Sequence, residues 1–222
     1  MSAQRLAAGR ERERGMTLIE LLVAISLLAV AMTLLTSMVV SASRTFTQQE
    51  TQQDSTNRAA IAMRSVTQVI RGGTELELSS TWQPAPVFST ARPDSLTMNT
   101  YVGVDSTDEG PTRVTLTVDA ARGELVETRF ASSRAGGVWV YSTTPSRTRV
   151  LAYDVSSSAP FSYLRADSTA LPSRALSETE RREIAAVRVT LAVQSVPGSD
   201  ASPAELVSVV SLPNLDITRT GA

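Results

Sequence analysis

The sequence predicts an α+β protein in which one long N-terminal helix packs on a mainly antiparallel β-sheet. Two observations predict the helix: an apolar run begins close to the N-terminus, and neither Gly nor Pro occurs between Met16 and Arg71. The third observation concerns the rest of the chain, where short segments alternate apolar and polar residues as strands do. One long helix followed by successive strands favours segregated α and β layers.

Composition excludes several classes of protein. The 222 residues carry a net charge of -1 and contain neither Cys nor His. Thiol and imidazole catalysis, disulfides and zinc sites with the usual ligands are therefore excluded. The nearly neutral net charge does not indicate nucleic-acid binding, and the sequence contains no Gly-rich phosphate loop. The sequence thus predicts a protein that is not an enzyme and needs no cofactor.

The N-terminus is organised as a charged leader followed by an apolar span. Residues 1–15 are short and polar and hold four arginines, whereas no residue from Leu21 to Val40 is ionisable. A helix of about twenty such residues is long enough to cross the hydrocarbon core of a membrane. Because basic residues stay in the cytoplasm, we expect a single-pass protein of the cytoplasmic membrane whose large C-terminal part lies outside.

Glu20 interrupts the apolar block, where a carboxylate costs about 2.5–3.5 kcal/mol at the centre of a span and less near an end. It is either solvated at the level of the lipid headgroups or has a charged partner. The string from Arg14 to Ala24, RGMTLIELLVA, resembles the leader-cleavage motif of type IV prepilins and type II secretion pseudopilins. That resemblance implies cleavage after Gly15, N-methylation of Met16 and a Glu at the fifth mature position. The family most often has Phe where this chain has Met16.

The resemblance also implies partners. They are a prepilin peptidase, the inner-membrane assembly platform and other pilin-like subunits, and the destination is a pilus or pseudopilus. Glu20 would neutralise the N-terminal amine of a neighbour in a region of low dielectric constant. The strings at 161–164, 186–193 and 211–215 resemble those of larger minor pilins and J-type pseudopilins. The absence of Cys argues against a small major pilin, because many major pilins close a C-terminal loop with a disulfide.

Four segments follow from this interpretation: a cleaved leader (1–15), a transmembrane and filament-core helix (16–43), an amphipathic continuation (44–71) and a β-rich head (72–222). Ala59, Met63, Val66 and Ile70 form an apolar stripe suited to packing on a sheet. The polar stretch Thr45–Asn57 before it is either solvated helix or flexible linker. Gly72 and Gly73 are expected to end the helix.

Strands are predicted over several segments of the head, and the strict alternation within 185–196 is the clearest signal. A short link, 120–123, predicts a hairpin, and the Pro-containing stretch 81–94 predicts a loop. The strand segments are Ser95–Val102, Arg113–Asp119, Glu124–Phe130, Val138–Ser142, Thr148–Val155, Ala185–Val196 and Glu205–Leu212.

Three alternatives stay open. The apolar run could be a secretory signal peptide cut near Ser41-Ala42-Ser43, although it is longer than the usual apolar region. The chain could be a membrane-anchored or secreted β-rich binding or adhesion module unrelated to filaments. Asp105, Asp108 and Glu109 could bind calcium or simply form a solvated turn. The larger aromatic residues are expected to pack in or around the core; they are Trp82, Tyr101, Trp139, Tyr141 and Tyr163.

Overall fold

The computed structural model describes residues 16–76, 84–101, 110–194, 202–213 and 215. The chain divides into two compact units, 1–47 and 48–222, which are described separately. The elements in chain order are α1 (Leu18–Arg71), β1 (Phe88–Ala91), β2 (Ser95–Thr100), β3 (Thr112–Asp119), β4 (Glu124–Phe130), β5 (Ser132–Ala135), β6 (Val138–Tyr141), β7 (Arg147–Ala152), β8 (Phe161–Leu164), α2 (Glu178–Arg182), β9 (Ala186–Val193) and β10 (Ala204–Ser211).

Helix α1 confirms the long helix that the absence of Gly and Pro predicted. The polar stretch 45–57 is helical throughout, so the alternative of a flexible linker is wrong. Within the second unit one face of α1 is buried, as helical periodicity requires. Helix α1 ends at Arg71, directly before the two glycines as expected, but neither glycine has the positive φ of a left-handed cap. Gly72 N–H donates to Gln68 O at 3.3 Å, and Gly73 pairs with Thr100. The buried residues of α1 are Ser55, Ala59, Ala62, Met63, Val66, Val69 and Ile70.

Five antiparallel strands form the larger sheet, in the order β1-β2-β3-β4-β7. Its inner-face residues lie in one apolar cluster with the buried face of α1; among them are Leu96, Met98, Val114, Leu116 and Leu125, each fully buried. The predicted hairpin joins β3 to β4, and its turn uses the positive φ of 63° at Gly123, which glycine adopts without strain.

A second, three-stranded sheet has the order β10-β9-β8. Alternate residues of β9 are fully buried, which confirms the strand predicted there; they are Val187, Val189, Leu191 and Val193. The second sheet meets the first beside β1, where the Phe88 and Tyr163 rings pack edge to face with centroids 6.0 Å apart. Tyr163 Oη also donates to Arg92 O at 2.8 Å, so this aromatic residue belongs to the core as predicted.

The structure contains four elements that were not predicted from the sequence. The stretch predicted as a loop at 81–94 contains β1, and β5, β8 and α2 were not predicted. Strands β1, β5 and β8 have four residues each and include one or two Ser, whereas the equally short β6, VWVY, consists of residues with high strand propensity. Strand β5 pairs with β6 through Gly136 and Gly137, which both have positive φ. Helix α2 is held by a capping box between Ser177 and Glu180.

A buried ion cluster on the inner face of β4 was also not predicted. Glu127 is fully buried and lies between Leu116 on β3 and Arg149 on β7. Its Oε2 accepts a hydrogen bond from Arg149 Nη2 at 2.8 Å, and its Oε1 accepts from Arg129 Nε. Burial favours the neutral acid, but the hydrogen bonds and charges of the two arginines outweigh it and hold the pKa of Glu127 below its usual value.

Replacing Glu127 by Gln should destabilise the head by about 2–3 kcal/mol at neutral pH. This is less than the usual cost of about 3–5 kcal/mol for breaking a buried pair, because the side chain of Arg149 is 35% exposed. The pKa of Glu127 is lowered on folding, so its contribution is present above the unfolded-state pKa. It is lost as the pH falls through the lower folded-state pKa.

The test is the thermal midpoint of wild type and Glu127→Gln at pH 7 and at about pH 3, where the difference should shrink. Glu183→Gln is the matched control, because its partner Arg165 and Glu183 itself are both about two-fifths exposed. That change should cost less than about 1 kcal/mol. A difference between wild type and Glu127→Gln that is equal at both pH values would contradict the assigned ionisation.

Candidate processing and assembly site

Helix α1 begins with a reciprocal pair of hydrogen bonds between Thr17 and Glu20. Glu20 N–H donates to Thr17 Oγ1 at 3.3 Å, and Thr17 N–H donates to Glu20 Oε2 at 3.4 Å. The first helical bond follows, from Leu21 N–H to Thr17 O at 3.1 Å. This is the pattern of a capping box, in which a Thr and a Glu three residues later satisfy backbone N–H groups that the helix itself leaves unpaired.

The acidic side chain is well placed at this end of the helix. Glu20 lies in the first turn, where the helix dipole favours a negative charge. Its Oε2 is shared between the backbone and hydroxyl of Thr17, at 3.4 and 3.5 Å, whereas its Oε1 accepts no hydrogen bond within the described residues. One oxygen of the carboxylate therefore organises the helix start, and the other is available to a cation.

The apolar part of α1 is covered by nothing in the described chain. Every side chain from Met16 to Glu50 is exposed, including a dense set of Leu, Ile, Val and Met residues. Helix α1 is long and apolar enough to cross a membrane, with a mean hydropathy of 2.6 over its most apolar window. Apolar surface of this extent requires lipid or neighbouring helices.

The hydroxyl groups within this apolar part bond to their own helix. Ser26 Oγ donates to Leu22 O and Thr36 Oγ1 to Met32 O, both at 2.8 Å. Thr33 and Ser37 donate in the same way, at 2.9 and 2.8 Å. Because each hydroxyl has a partner on its own backbone, these side chains can enter an apolar environment at little cost.

Of the residues singled out in the sequence, Met16 and Glu20 lie at the start of α1, within four residues of each other. Gly15 and the proposed calcium ligands, Asp105, Asp108 and Glu109, lie outside the described residues. The capping role of Thr17 was not predicted, although the sequence contained its signal, a Thr three residues before a Glu at the start of an apolar run. Tyr101 is 47% exposed and so does not belong to the core.

Comparison with known families agrees with this geometry. A family model described as the prokaryotic N-terminal methylation motif matches residues 10–36, a segment that includes Gly15, Met16 and Glu20. No curated protein matches the chain. The motif implies processing by a prepilin peptidase, and the exposed apolar helix is consistent with anchoring in the inner membrane. The motif at residues 10–36 and the long helix packed on antiparallel sheets together support a type IV prepilin-like protein.

Proposed function

We propose that this protein is a minor pilin or pseudopilin, a structural subunit of a type IV pilus or of a type II secretion pseudopilus. Prepilin peptidase cuts after Gly15, Met16 becomes the methylated N-terminus, and the subunit assembles through α1. The observation that carries the proposal is the start of α1: the methylation motif coincides with a capped helix end, an acid in its first turn and an exposed apolar surface.

The chemistry of assembly follows from the geometry of Glu20. Cleavage creates a positively charged amine at Met16, and such a charge in an apolar environment needs a counter-ion. The open Oε1 of Glu20 supplies that counter-ion to the amine of a neighbouring subunit, while Oε2 keeps its own helix capped. A correctly seated subunit thus buries a paired charge, and a misplaced subunit leaves an unpaired one.

The other segments of the chain have separate roles in this proposal. Residues 16–43 occupy the membrane and then the filament core, residues 44–71 continue the helix, and residues 72–222 form the head outside the cytoplasm. The partners are the peptidase, the inner-membrane assembly platform and other pilin-like subunits. The size of the head and the absence of Cys support a minor rather than a major subunit.

Gly15→Ala should leave the leader attached. In cells with an active peptidase, intact mass of the wild-type protein extracted from membranes should correspond to a chain that begins at Met16 and carries one added methyl group. The Gly15→Ala chain should keep residues 1–15, and Gly9→Ala, a matched change within the leader, should be processed normally. A wild-type chain that still has its leader, or that begins at Arg44, would contradict the proposal and support an anchored or secreted module.

Glu20→Gln separates charge from capping. Gln at this position can still complete a capping box, so the helix start is kept while the counter-ion is lost. We expect incorporation into filaments to fall about tenfold or more, because an unpaired buried charge is costly. Thr17→Ala removes the cap, at about 1 kcal/mol, but keeps the charge, and should reduce incorporation less.

The measurement is the fraction of each variant in purified filaments, relative to its amount in the membrane. Thr17→Ser keeps both the cap and the charge and serves as the control. Normal incorporation of Glu20→Gln, with normal membrane insertion, would show that the counter-ion role is wrong.

A further inference from the structure

The two main sheets have four edges, and three of them are protected. Along β1, Leu176 N–H donates to Ala91 O at 3.0 Å. Strand β7 has an irregular register with β4 and carries Arg147 and Arg149. Along β8, Leu171 N–H donates to Tyr163 O at 2.8 Å. Covering segments, bulges and charged side chains are the devices by which proteins keep sheet edges from pairing with other chains.

Within the residues that the structure describes, β10 has none of these devices. Its eight residues pair with β9 in one unbroken register, and within the described chain no strand pairs with its other side. It contains no Pro and no basic residue, and its single charge is Glu205 near one end. The side chains of Val207 and Val209 are 58% and 52% exposed. Such a long, apolar and unprotected edge is a template for strand pairing.

The direction of the backbone groups can be derived from the register. Thr190 N–H donates to Pro160 O at 2.8 Å, on the side of β9 that faces away from β10. Thr190 is opposite Val207, so these two residues form a non-hydrogen-bonded pair and Val207 directs its N–H and C=O to the open edge. By alternation, Glu205, Val209 and Ser211 do the same.

The open edge is symmetric about Ser208. The next residues in the same alternation are Pro203 and Pro213, which have no N–H to donate. The two prolines lie five positions on either side of Ser208 and limit the usable edge to residues 205–211. A chain with this pattern can pair with itself in the antiparallel direction about a two-fold axis at Ser208.

We propose that β10 pairs with β10 of a second copy of this chain, which joins two three-stranded sheets into one. In this register Val207 lies opposite Val209 of the second copy, and Glu205 lies opposite Ser211, so apolar side chains meet and like charges do not. All four edge-facing residues pair. A shift of two residues in either direction places a proline against the edge and loses one facing pair.

Symmetry decides when this pairing can exist. A two-fold contact is closed, so it cannot propagate along a helical filament. The paired dimer therefore exists in the membrane before assembly, and its two copies must separate before either is incorporated. The pairing itself is inferred from the head alone and does not depend on cleavage at Gly15, whereas its timing before assembly rests on the proposed function.

Because the chain contains no Cys, one introduced thiol tests the register. Ser208 would face itself in a non-hydrogen-bonded pair with Cα atoms about 4.5 Å apart, within the range for a disulfide. Ser208→Cys in the full-length protein in native membranes should therefore form a disulfide dimer on mild oxidation. Ser211→Cys is the matched control: it is exposed on the same strand, but the two copies would be about 20 Å apart, and its yield should be at least tenfold lower.

Charge substitutions at the two exposed valines test the partner. In the Ser208→Cys background, V207K/V209K places Lys opposite Lys and should abolish the crosslink, whereas V207K/V209E places Lys opposite Glu and should restore it. Thermal midpoints of all variants check that the head folds. Equal yields from Ser208→Cys and Ser211→Cys, a crosslink that survives V207K/V209K, or a crosslink to a different subunit would overturn the second copy as the occupant. Adding Gly15→Ala should leave the yield unchanged, which separates this result from the test of processing.

Discussion

Burial of one face of α1 is the interaction on which the head depends. The small side chains of Ala59 and Ala62 allow close approach, and Val66 and Ile70 fill the space beyond them; all four are fully buried. The end of the helix is fixed to β2, since Thr100 pairs with Gly73 and its hydroxyl donates to Val69 O at 3.4 Å. Because no Cys is present, no disulfide supplements this apolar core.

Gly73 shows how tightly this junction is packed. A Cβ at that position would lie 2.5 Å from Met98 Cε and 2.8 Å from Val87 Cγ1, closer than carbon atoms approach. Gly73 lies two residues after the end of α1, and its lack of a side chain lets the backbone pass beside the core of the sheet.

The sequence was informative wherever a pattern was local and long. Helix α1, the hairpin of β3 and β4, and β9 follow from periodicity and turn residues that a single segment contains. The burial of Glu127 could not be predicted, because one of its two partners, Arg149, lies on β7 and is brought to it only by the pairing of β4 with β7. Thr17 is the opposite case: its role was local and could have been recognised. A strand was predicted near β10, but its place at a sheet edge is a property of topology, which no single segment shows.

The head and the apolar part of α1 offer different surfaces to other molecules. The head buries most of its apolar side chains in its own core and leaves one strand edge, β10, to which the proposed pairing is assigned. In the apolar part of α1 the hydroxyl groups bond to their own backbone, whereas the apolar side chains stay exposed. The proposed pairing of β10 and the proposed assembly through α1 thus use different residues.

The hydroxyl hydrogen bonds within α1 also limit which hydrogen bonds a neighbouring helix can form with it. Since Ser26, Thr33, Thr36 and Ser37 donate to their own backbone, they offer adjacent helices no free donor. Lateral contact along this stretch is then governed by shape and dispersion, which tolerate rotation and lengthwise sliding. Glu20 is the lone ionisable side chain between Met16 and Val40. A charge contact can therefore fix the lengthwise position of this helix at that residue alone. In the proposed assembly, such a helix can slide along its neighbours until Glu20 meets the amine of another subunit.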